Sequence, residues 1–218
     1  MSVWAVLAAA GSGERLGADR PKAFVRLGER VLLAESLERL EASDWVDTIV
    51  VAAPPGWEEP AILLAEELGC GKVAACVSGG ATRAESVRAA LAEVPDDAVA
   101  VLVHDAARPV LPEEVIERVL APLSEGWDGV VPALPIGDTV KRVRDDEVVE
   151  TLARDGLVAV QTPQAFVADV LRRAADGEGT DCASLVEARG GRVKVVPGDP
   201  RLVKVTTAED LELVASWL

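Results

Sequence analysis

Short apolar runs alternate with helical patterns along this chain, and the alternation predicts an α/β fold. The predicted strands are Val3–Ala9, Thr48–Ala53, Val73–Val77, Ala98–His104, Gly129–Ala133, Leu157–Gln161, Arg192–Val196 and Leu202–Val205. The predicted helices are Leu33–Ala42, Trp57–Leu68, Thr82–Glu93, Pro112–Leu123, Gln164–Ala175, Thr180–Ala188 and Thr207–Trp217. Continuously apolar strands are typical of a mainly parallel sheet covered by helices on both faces. Because ligands of such sheets bind at the carboxyl ends of strands, we expect the chemistry there.

Two predicted helices begin with a capping box, in which a threonine and a glutamate three residues later bond to each other's backbone N–H groups. The boxes are Thr82–Glu85 and Thr206–Glu209. A further stretch, Ile136–Leu157, alternates polar and apolar residues around Asp145-Asp146 and predicts a two-stranded hairpin. Since an isolated hairpin is marginally stable in water, it is expected to pack on a second subunit or to fold back on its own sheet.

The size and charge of the chain narrow its class. Its 218 residues, half of them apolar, suit one α/β domain or one domain plus an extension, and we expect a single domain over 1–218. The formal net charge of −15 disfavours nucleic acid and anionic membranes as partners. It also repels phosphorylated metabolites, so a site for them must concentrate lysine and arginine locally.

The cysteine and histidine content predicts neither a zinc site nor a disulfide framework. Three cysteines without C-x-x-C spacing and one histidine make no zinc-ligand set. Free thiols fit a reducing cytosol, so a cytoplasmic location is expected. No segment has the length and apolarity of a membrane span, and the N-terminal run Val3–Ala10 has the pattern of a core strand rather than a signal peptide.

A glycine-rich turn, "AAAGSGERLG", follows the first predicted strand. Gly11 and Gly13 fit a Rossmann fingerprint, but Leu16 stands at the third glycine position, and the acid expected to hold a ribose is missing. A Walker loop is also excluded, because no Gly-Lys-Ser/Thr follows. These departures disfavour a dinucleotide-dependent oxidoreductase. Backbone N–H groups of such a turn can cradle phosphates, and Arg15 with Lys22 favours a nucleotide that is cut rather than held intact.

A second motif, "VLVHDAARPVLP", places Asp105 directly after an apolar strand. A carboxylate there can hold a Mg²⁺ ion that bridges triphosphate oxygens, because Mg²⁺ needs few protein carboxylates. Small residues at Ala106 and Ala107 leave room for backbone approach. Arg108 is expected to anchor the loop or to touch an anion, and His104 is interpreted as structural.

A third motif, "SGGATRAES", puts Gly79 and Gly80 before a capped helix N-terminus, which is an electropositive backbone site. Arg83 and Ser86 there could read a base or contact phosphate, but the motif taken alone favours a merely well-capped helix. Arg154 and Lys204 lie in apolar or turn settings where a surface cation is common, so each taken alone favours a solvated charge. They belong to a last, mostly polar group of residues, whose other members are Asp138, Thr139, Lys141, Gln161, Thr162, Pro163, Gln164, Thr180 and Asp181.

Together these segments resemble the 2-C-methyl-D-erythritol 4-phosphate cytidylyltransferases of non-mevalonate isoprenoid biosynthesis. The resemblance extends from end to end through "AAAGSGERLG", "RPKAF", "GGATRAES", "VLVHDAARP", "DTVKR", "ARDGL", "QTPQAF", "TDCAS" and "VKVTTAEDL". It implies a Rossmann-like nucleotidyltransferase fold, with Mg²⁺ as cofactor and CTP and methylerythritol phosphate as substrates. It also implies a homodimer formed through a protruding β-arm, here residues 136–157.

The resemblance further implies a role for each candidate residue. Arg15 and Lys22 would stabilise the transition state, and Asp105 would bind the metal. The residues that would position methylerythritol phosphate are Arg154, Lys204, Thr180, Asp181 and Thr139. The nucleotide would be held by Ala9, Ala10, Gly11, Ser12, Gly13, Gly79, Gly80, Arg83, Ser86 and Ala106.

Two positions depart from the family pattern. Ala23 stands where the family often has glutamine, and Cys182 stands where it often has glutamate. Two alternatives to the implied function remain open. One is a cytidylyltransferase for another polyol phosphate, such as ribitol 5-phosphate, and the other is a non-catalytic nucleotide-binding module.

Overall fold

A computed structural model describes residues 2–177 and 179–218. Its strands are β1 (Ser2–Ala8), β2 (Arg26–Leu27), β3 (Arg30–Val31), β4 (Thr48–Ala53), β5 (Val73–Ser78), β6 (Ala98–Asp105), β7 (Gly129–Pro135), β8 (Val140–Arg144), β9 (Glu147–Leu152), β10 (Val158–Val160), β11 (Gln164–Val167) and β12 (Val193–Pro197). Its α-helices are α1 (Leu32–Ala42), α2 (Glu58–Glu67), α3 (Arg83–Leu91), α4 (Glu113–Leu120), α5 (Ala168–Ala174), α6 (Cys182–Ala188) and α7 (Ala208–Ala215). No helix in these ranges is long and apolar enough to cross a membrane.

The central sheet has eight strands in the order β10-β7-β11-β6-β1-β4-β5, and β12 pairs with β7. The pairs β1–β4, β1–β6, β4–β5 and β7–β12 are parallel, whereas β10 and β11 run antiparallel to their neighbours. The predicted mainly parallel α/β sheet is therefore confirmed.

Both faces of the sheet are covered, which explains why its strands are apolar at successive positions. Leu7 of β1 packs with residues of α1, α2 and α4 on one face. The preceding residue, Val6, packs with residues of α3, α5 and α6 on the other face. A smaller cluster joins Val214 of α7 to Leu27 and Leu32.

The strand register brings the functional edge of the sheet together. Ala8, the last residue of β1, lies opposite Ala52 of β4 and Asp105 of β6. Ala53 lies opposite Ser78, the last residue of β5. The loops that follow β1, β5 and β6 therefore leave the sheet at the same edge.

Two predicted elements are wrong. The helix predicted over Gln164–Ala175 begins only at Ala168, because Gln164–Val167 forms β11 and bonds to β6 and β7. The hydrogen bonds that β11 makes to β6 on one side and to β7 on the other outweigh the local preference for a helix. The strand predicted over Leu202–Val205 is absent from the described part of the chain: Leu202 and Val205 are buried, but the segment joins no sheet.

The capping box at Thr82 and Glu85 is confirmed. The second box is displaced by one residue from its predicted place. The N-cap of α7 is Thr207, and its partner is Asp210 rather than Glu209. Oδ2 of Asp210 accepts hydrogen bonds from the N–H groups of both Thr206 and Thr207, and Asp210 therefore takes the place predicted for Glu209.

The predicted hairpin is confirmed as a two-stranded sheet of its own, made of β8 and β9. Its turn residues Asp145 and Asp146 have positive φ values of 46° and 65°. A two-residue turn with positive φ at both positions matches the right-handed twist of the strands that it connects. Val143, Val148 and Val149 on this hairpin are about half exposed.

Candidate active site

The glycine turn after β1 is held against the segment that carries Lys22. Gly13 has a φ of 76°, and a Cβ atom there would lie 2.9 Å from the Cβ of Lys22. Lys22 N donates to the carbonyl of Gly11 at 3.2 Å. Only glycine fits both the left-handed backbone and this close approach. The turn thereby fixes the lysine beside its own backbone.

The inner part of the same turn offers unused donors. Within the described residues, the N–H groups of Gly11 and Ser12 donate to no protein acceptor. Consecutive free N–H groups in a turn form a concave anion site. The geometry is therefore suited to phosphate oxygens.

A second loop, after β5, is packed directly on the first. A Cβ atom on Gly79 would lie 2.3 Å from the Cβ of Ala10 and 3.1 Å from the carbonyl oxygen of Ala53. Ser86 Oγ accepts the N–H of Gly80 at 3.1 Å and donates to the carbonyl of Thr82 at 2.9 Å. The loop is thus fixed at both ends, by the glycine contact and by the capped start of α3.

Asp105 lies at the end of β6 with both carboxylate oxygens paired. Oδ1 accepts from Arg83 Nε at 2.8 Å, and Oδ2 accepts from Lys204 Nζ at 2.7 Å. Its backbone N–H donates to Thr162 Oγ1 at 3.1 Å. Burial would raise the pKa of Asp105, but the charges of Arg83 and Lys204 outweigh it and hold that pKa well below the usual value. The carboxylate is therefore ionised.

His104 and Arg108 support this region without entering it. The two ring nitrogens of His104 bond to the Arg108 carbonyl at 3.0 Å and to Thr162 Oγ1 at 3.2 Å. Burial lowers the pKa of His104 to about 4, so the ring is neutral at pH 7. Arg108 donates to the carbonyl of Leu202, and Val205 N donates to the carbonyl of Ala107. These bonds anchor the segment that carries Lys204.

The two loops, Lys22, Asp105 and Lys204 enclose one cavity of about 460 Å³. Eleven of the predicted site residues line it: Ala9, Ala10, Gly11, Ser12, Lys22, Gly80, Arg83, Ser86, Asp105, Ala106 and Lys204. Its lining also includes residues that we did not predict, which are Ala8, Glu14, Ala23, Ala81, Thr82 and Ala107. All of these residues lie within the quoted motifs, so the motifs themselves were the signal that could have found them.

The cavity gathers positive charge in an acidic protein. Burial, together with the neighbouring charges of Lys204 and Arg15, lowers the pKa of Lys22 to about 8. Arg15 itself is exposed and does not line the cavity, but its charge acts on Lys22. The local concentration of cations expected for an anion site is therefore present.

The remaining predicted residues lie outside the cavity lining. Gly13 and Gly79 stand behind it as the two close contacts described above. Thr139, Arg154 and Thr180 are exposed, and Arg154 donates to the carbonyl of Gly137.

Asp181 has a structural part of its own. It caps α6 by accepting the N–H of Ser184 at 2.9 Å, and it accepts Gln164 Nε2 at 2.8 Å. The next residue, Cys182, is buried, and its Sγ lies 3.5 Å from Arg83 Nη1. Arg83 therefore contacts both the start of α6, through Cys182, and the carboxylate of Asp105.

The donor set is compatible with a magnesium ion that a nucleotide brings with it. Within residues 2–177 and 179–218, no group of three or more His, Cys, Asp or Glu side chains is placed to hold a metal. Two acidic residues, Glu14 and Asp105, line the cavity, and Asp105 is the one whose carboxylate is paired with Arg83 and Lys204. Mg²⁺ is commonly held by one or two carboxylates plus substrate phosphates, so this acid suffices for such an ion.

A mainly parallel α/β sheet with a glycine turn, cations and one acid at its carboxyl edge defines a nucleotide-binding protein of the nucleotidyltransferase class. The family model described as "IspD: 2-C-methyl-D-erythritol 4-phosphate cytidylyltransferase" matches residues 3–218. The chain belongs to this family, as the sequence motifs predicted.

Individual relatives agree with the family match. The 2-C-methyl-D-erythritol 4-phosphate cytidylyltransferase of Frankia casuarinae is 48% identical over 99% of this chain and 81% of that protein. The enzyme of the same name from Saccharopolyspora erythraea is 47% identical over the whole of both chains. Among solved structures, that of the Francisella tularensis enzyme has a TM-score of 0.85 at 29% identity, covering 100% and 99% of the two chains. The structure of the Thermus thermophilus enzyme has a TM-score of 0.79 at 32% identity, covering 100% and 98%.

Proposed function

We propose that this chain transfers the cytidylyl group of CTP to 2-C-methyl-D-erythritol 4-phosphate. The products are 4-diphosphocytidyl-2-C-methyl-D-erythritol and pyrophosphate, in non-mevalonate isoprenoid biosynthesis. The observation that carries the proposal is the single cavity in which the glycine turn, Lys22, Asp105 and Lys204 meet, in a chain of this family.

In the proposed reaction, an oxygen of the methylerythritol phosphate attacks the α-phosphorus of CTP in line. The bond from the α-phosphorus to the oxygen that bridges to the β-phosphorus breaks, and pyrophosphate leaves with the electron pair. The attacking phosphate is already an anion, so no side chain has to remove a proton. The environment of His104 supports this, because a buried, neutral ring bonded on both sides is not available as a base.

Catalysis then consists of positioning and charge neutralisation. Arg15 and Lys22 are the proposed catalytic cations, which meet the charge that grows on the α-phosphoryl oxygens and the leaving pyrophosphate. The pKa of Lys22 near 8 keeps most of its ammonium protonated at neutral pH. Asp105 is the proposed metal ligand. A bound Mg²⁺ ion would neutralise part of the triphosphate charge.

The two loops are the proposed nucleotide site. The N–H groups of the first loop would hold the triphosphate, and the second loop with Ser86 would hold the cytosine. The nucleotide-binding residues of this proposal are Ala9, Ala10, Gly11, Ser12, Gly13, Gly79, Gly80, Arg83, Ser86 and Ala106.

The acceptor phosphate would be held by Lys204, aided by Thr139, Thr180 and Asp181 and by Arg154. Arg154 lies on the hairpin and does not line the cavity of its own chain. We propose that the hairpin, residues 136–157 of a single domain over 1–218, forms a homodimer and brings Arg154 to the second subunit's site. The half-exposed valines of the hairpin support such a contact. The three free cysteines support a cytoplasmic location.

The test is pyrophosphate release from CTP in the presence of Mg²⁺. Release is expected with methylerythritol phosphate and not with ribitol 5-phosphate or without an acceptor. Release with ribitol 5-phosphate alone would instead identify a different polyol-phosphate cytidylyltransferase. No release from properly folded protein under any of the three conditions would leave a nucleotide-binding module and overturn the enzymatic proposal.

A further inference from the structure

The two carboxylate oxygens of Asp105 have partners of very different character. Arg83 holds Oδ1 and Lys204 holds Oδ2, at nearly the same distance. The Arg83 side chain is 25% exposed, whereas the Lys204 side chain is 42% exposed. One oxygen thus faces a more enclosed cation, and the other faces a cation with access to solvent.

Arg83 is fixed in place by more than its ion pair. It is the first residue of α3, next to the capping residue Thr82, so its backbone is set by the start of the helix. Its Nη1 also donates to Cys182 Sγ at 3.5 Å. The planar guanidinium is therefore oriented by contacts on two sides, and it holds Oδ1 in a constant position.

Lys204 is attached much less firmly to the carboxylate. It lies on the segment between β12 and α7 that belongs to no sheet, although Leu202 and Val205 anchor that segment on either side. Its ammonium lies at the end of a flexible four-carbon stem, and among the described residues it donates to Oδ2 of Asp105 alone. The head group can leave Asp105 while the backbone stays anchored.

We propose that Lys204 and a divalent cation compete for the same oxygen of Asp105, so that Lys204 is released from Asp105 when the cation binds. This rests on the proposed role of Asp105 as the metal ligand. Two cations cannot share Oδ2 at bonding distance without strong mutual repulsion. The released ammonium remains in the cavity, where it is free to pair with the acceptor phosphate. Lys204 is thus a positioning residue that links metal binding to phosphate binding.

The experiment measures Mn²⁺ binding to the full chain without nucleotide, from the loss of the free-Mn²⁺ electron paramagnetic resonance signal. The test variants are Lys204→Met and Lys204→Gln, which both remove the competing charge. Lys194→Met is the matched control, because it removes the same charge from an ion pair with Glu125 at 2.8 Å, outside the cavity. The double variant Asp105→Asn/Lys204→Met reports whether any gain depends on Asp105. Circular dichroism verifies that each variant is folded.

Both Lys204 variants are expected to bind Mn²⁺ about fivefold more tightly than the parent chain, which corresponds to the loss of a partly exposed ion pair. Lys194→Met is expected to bind like the parent, and the double variant is expected to lose the gain. Equal affinity in the parent and both Lys204 variants would overturn the proposal, as would a gain that persists without Asp105. Because no CTP is present, the result is independent of whether cytidylyl transfer occurs.

Discussion

At the scale of single residues, the site brings together cations that repel one another. Lys22 is partly buried, and this burial, together with the nearby charges of Lys204 and Arg15, lowers its pKa to about 8. Such an arrangement is unfavourable for the empty protein and favourable once anions enter. The cost of gathering like charges is consistent with a site built to receive a polyphosphate.

Replacing Lys22 by alanine is expected to lower kcat by on the order of 10²–10³, by analogy with the loss of one preorganised donor to a developing charge. The measurement is steady-state pyrophosphate release at saturating CTP and methylerythritol phosphate. Lys72→Ala is the control, because Lys72 donates to the carbonyl of Ser43 and neither residue lines the cavity. Near-normal turnover of Lys22→Ala would contradict the proposed role of Lys22 as a catalytic cation.

The pKa of Lys22 also predicts a pH dependence. The ammonium is charged below about pH 8 and loses its proton above it, so kcat/KM for CTP is expected to fall as the pH rises through about 8. The profile of kcat/KM reports the free enzyme, in which this pKa applies. Lys22→Arg keeps its charge throughout this range, so any activity it retains should lack the fall. A decline at the same pH in Lys22→Arg would assign the titration to another group.

At the scale of elements, the proposed nucleotide site depends on the contact between the loops that follow β1 and β5. The Cβ of an alanine at position 79 would meet Ala10 and the backbone of Ala53. Because a backbone oxygen cannot move aside as a side chain can, the two loops must separate. Gly79→Ala is expected to raise the KM for CTP and to destabilise the fold by about 1–3 kcal/mol, as overpacking does.

Gly71→Ala is the matched control for this substitution, because its nearest new contact is a side-chain oxygen of Glu41 at an ordinary 3.8 Å. Thermal denaturation and CTP kinetics measure the two effects. Unchanged KM and melting temperature in Gly79→Ala would show that the loops tolerate separation.

The buried strands and the glycine loops could be predicted from the sequence, whereas contacts between distant segments could not. Strands buried on both faces, such as β1 and β4, have a clear apolar pattern. The loops after β1 and β5 carry glycine motifs. Gln164–Val167 was missed as a strand because its membership depends on pairing with β6 and β7, which are distant in sequence. The ion pairs of Asp105 with Arg83 and Lys204 were missed for the same reason.

At the scale of the whole molecule, the strands of the hairpin are mostly exposed, and the role proposed for the hairpin depends on a second subunit. Val143→Asp and Val148→Asp are expected to shift the protein from dimer to monomer, because they place charges in the proposed apolar contact. Light scattering after size exclusion measures the mass. Val195→Asp is the control, since Val195 is similarly exposed but lies on β12. A monomeric parent chain, or a dimer that both hairpin variants retain, would contradict the proposed interface.

The proposed reaction joins two phosphates in the cavity, rather than binding or hydrolysing one nucleotide. Mass spectrometry of a reaction containing the protein, CTP, methylerythritol phosphate and Mg²⁺ tests it most directly. The predicted result is a product whose mass is the sum of the two substrates less pyrophosphate, formed only when both are present. Recovery of intact CTP, or its conversion to CMP without the joined product, would contradict the account.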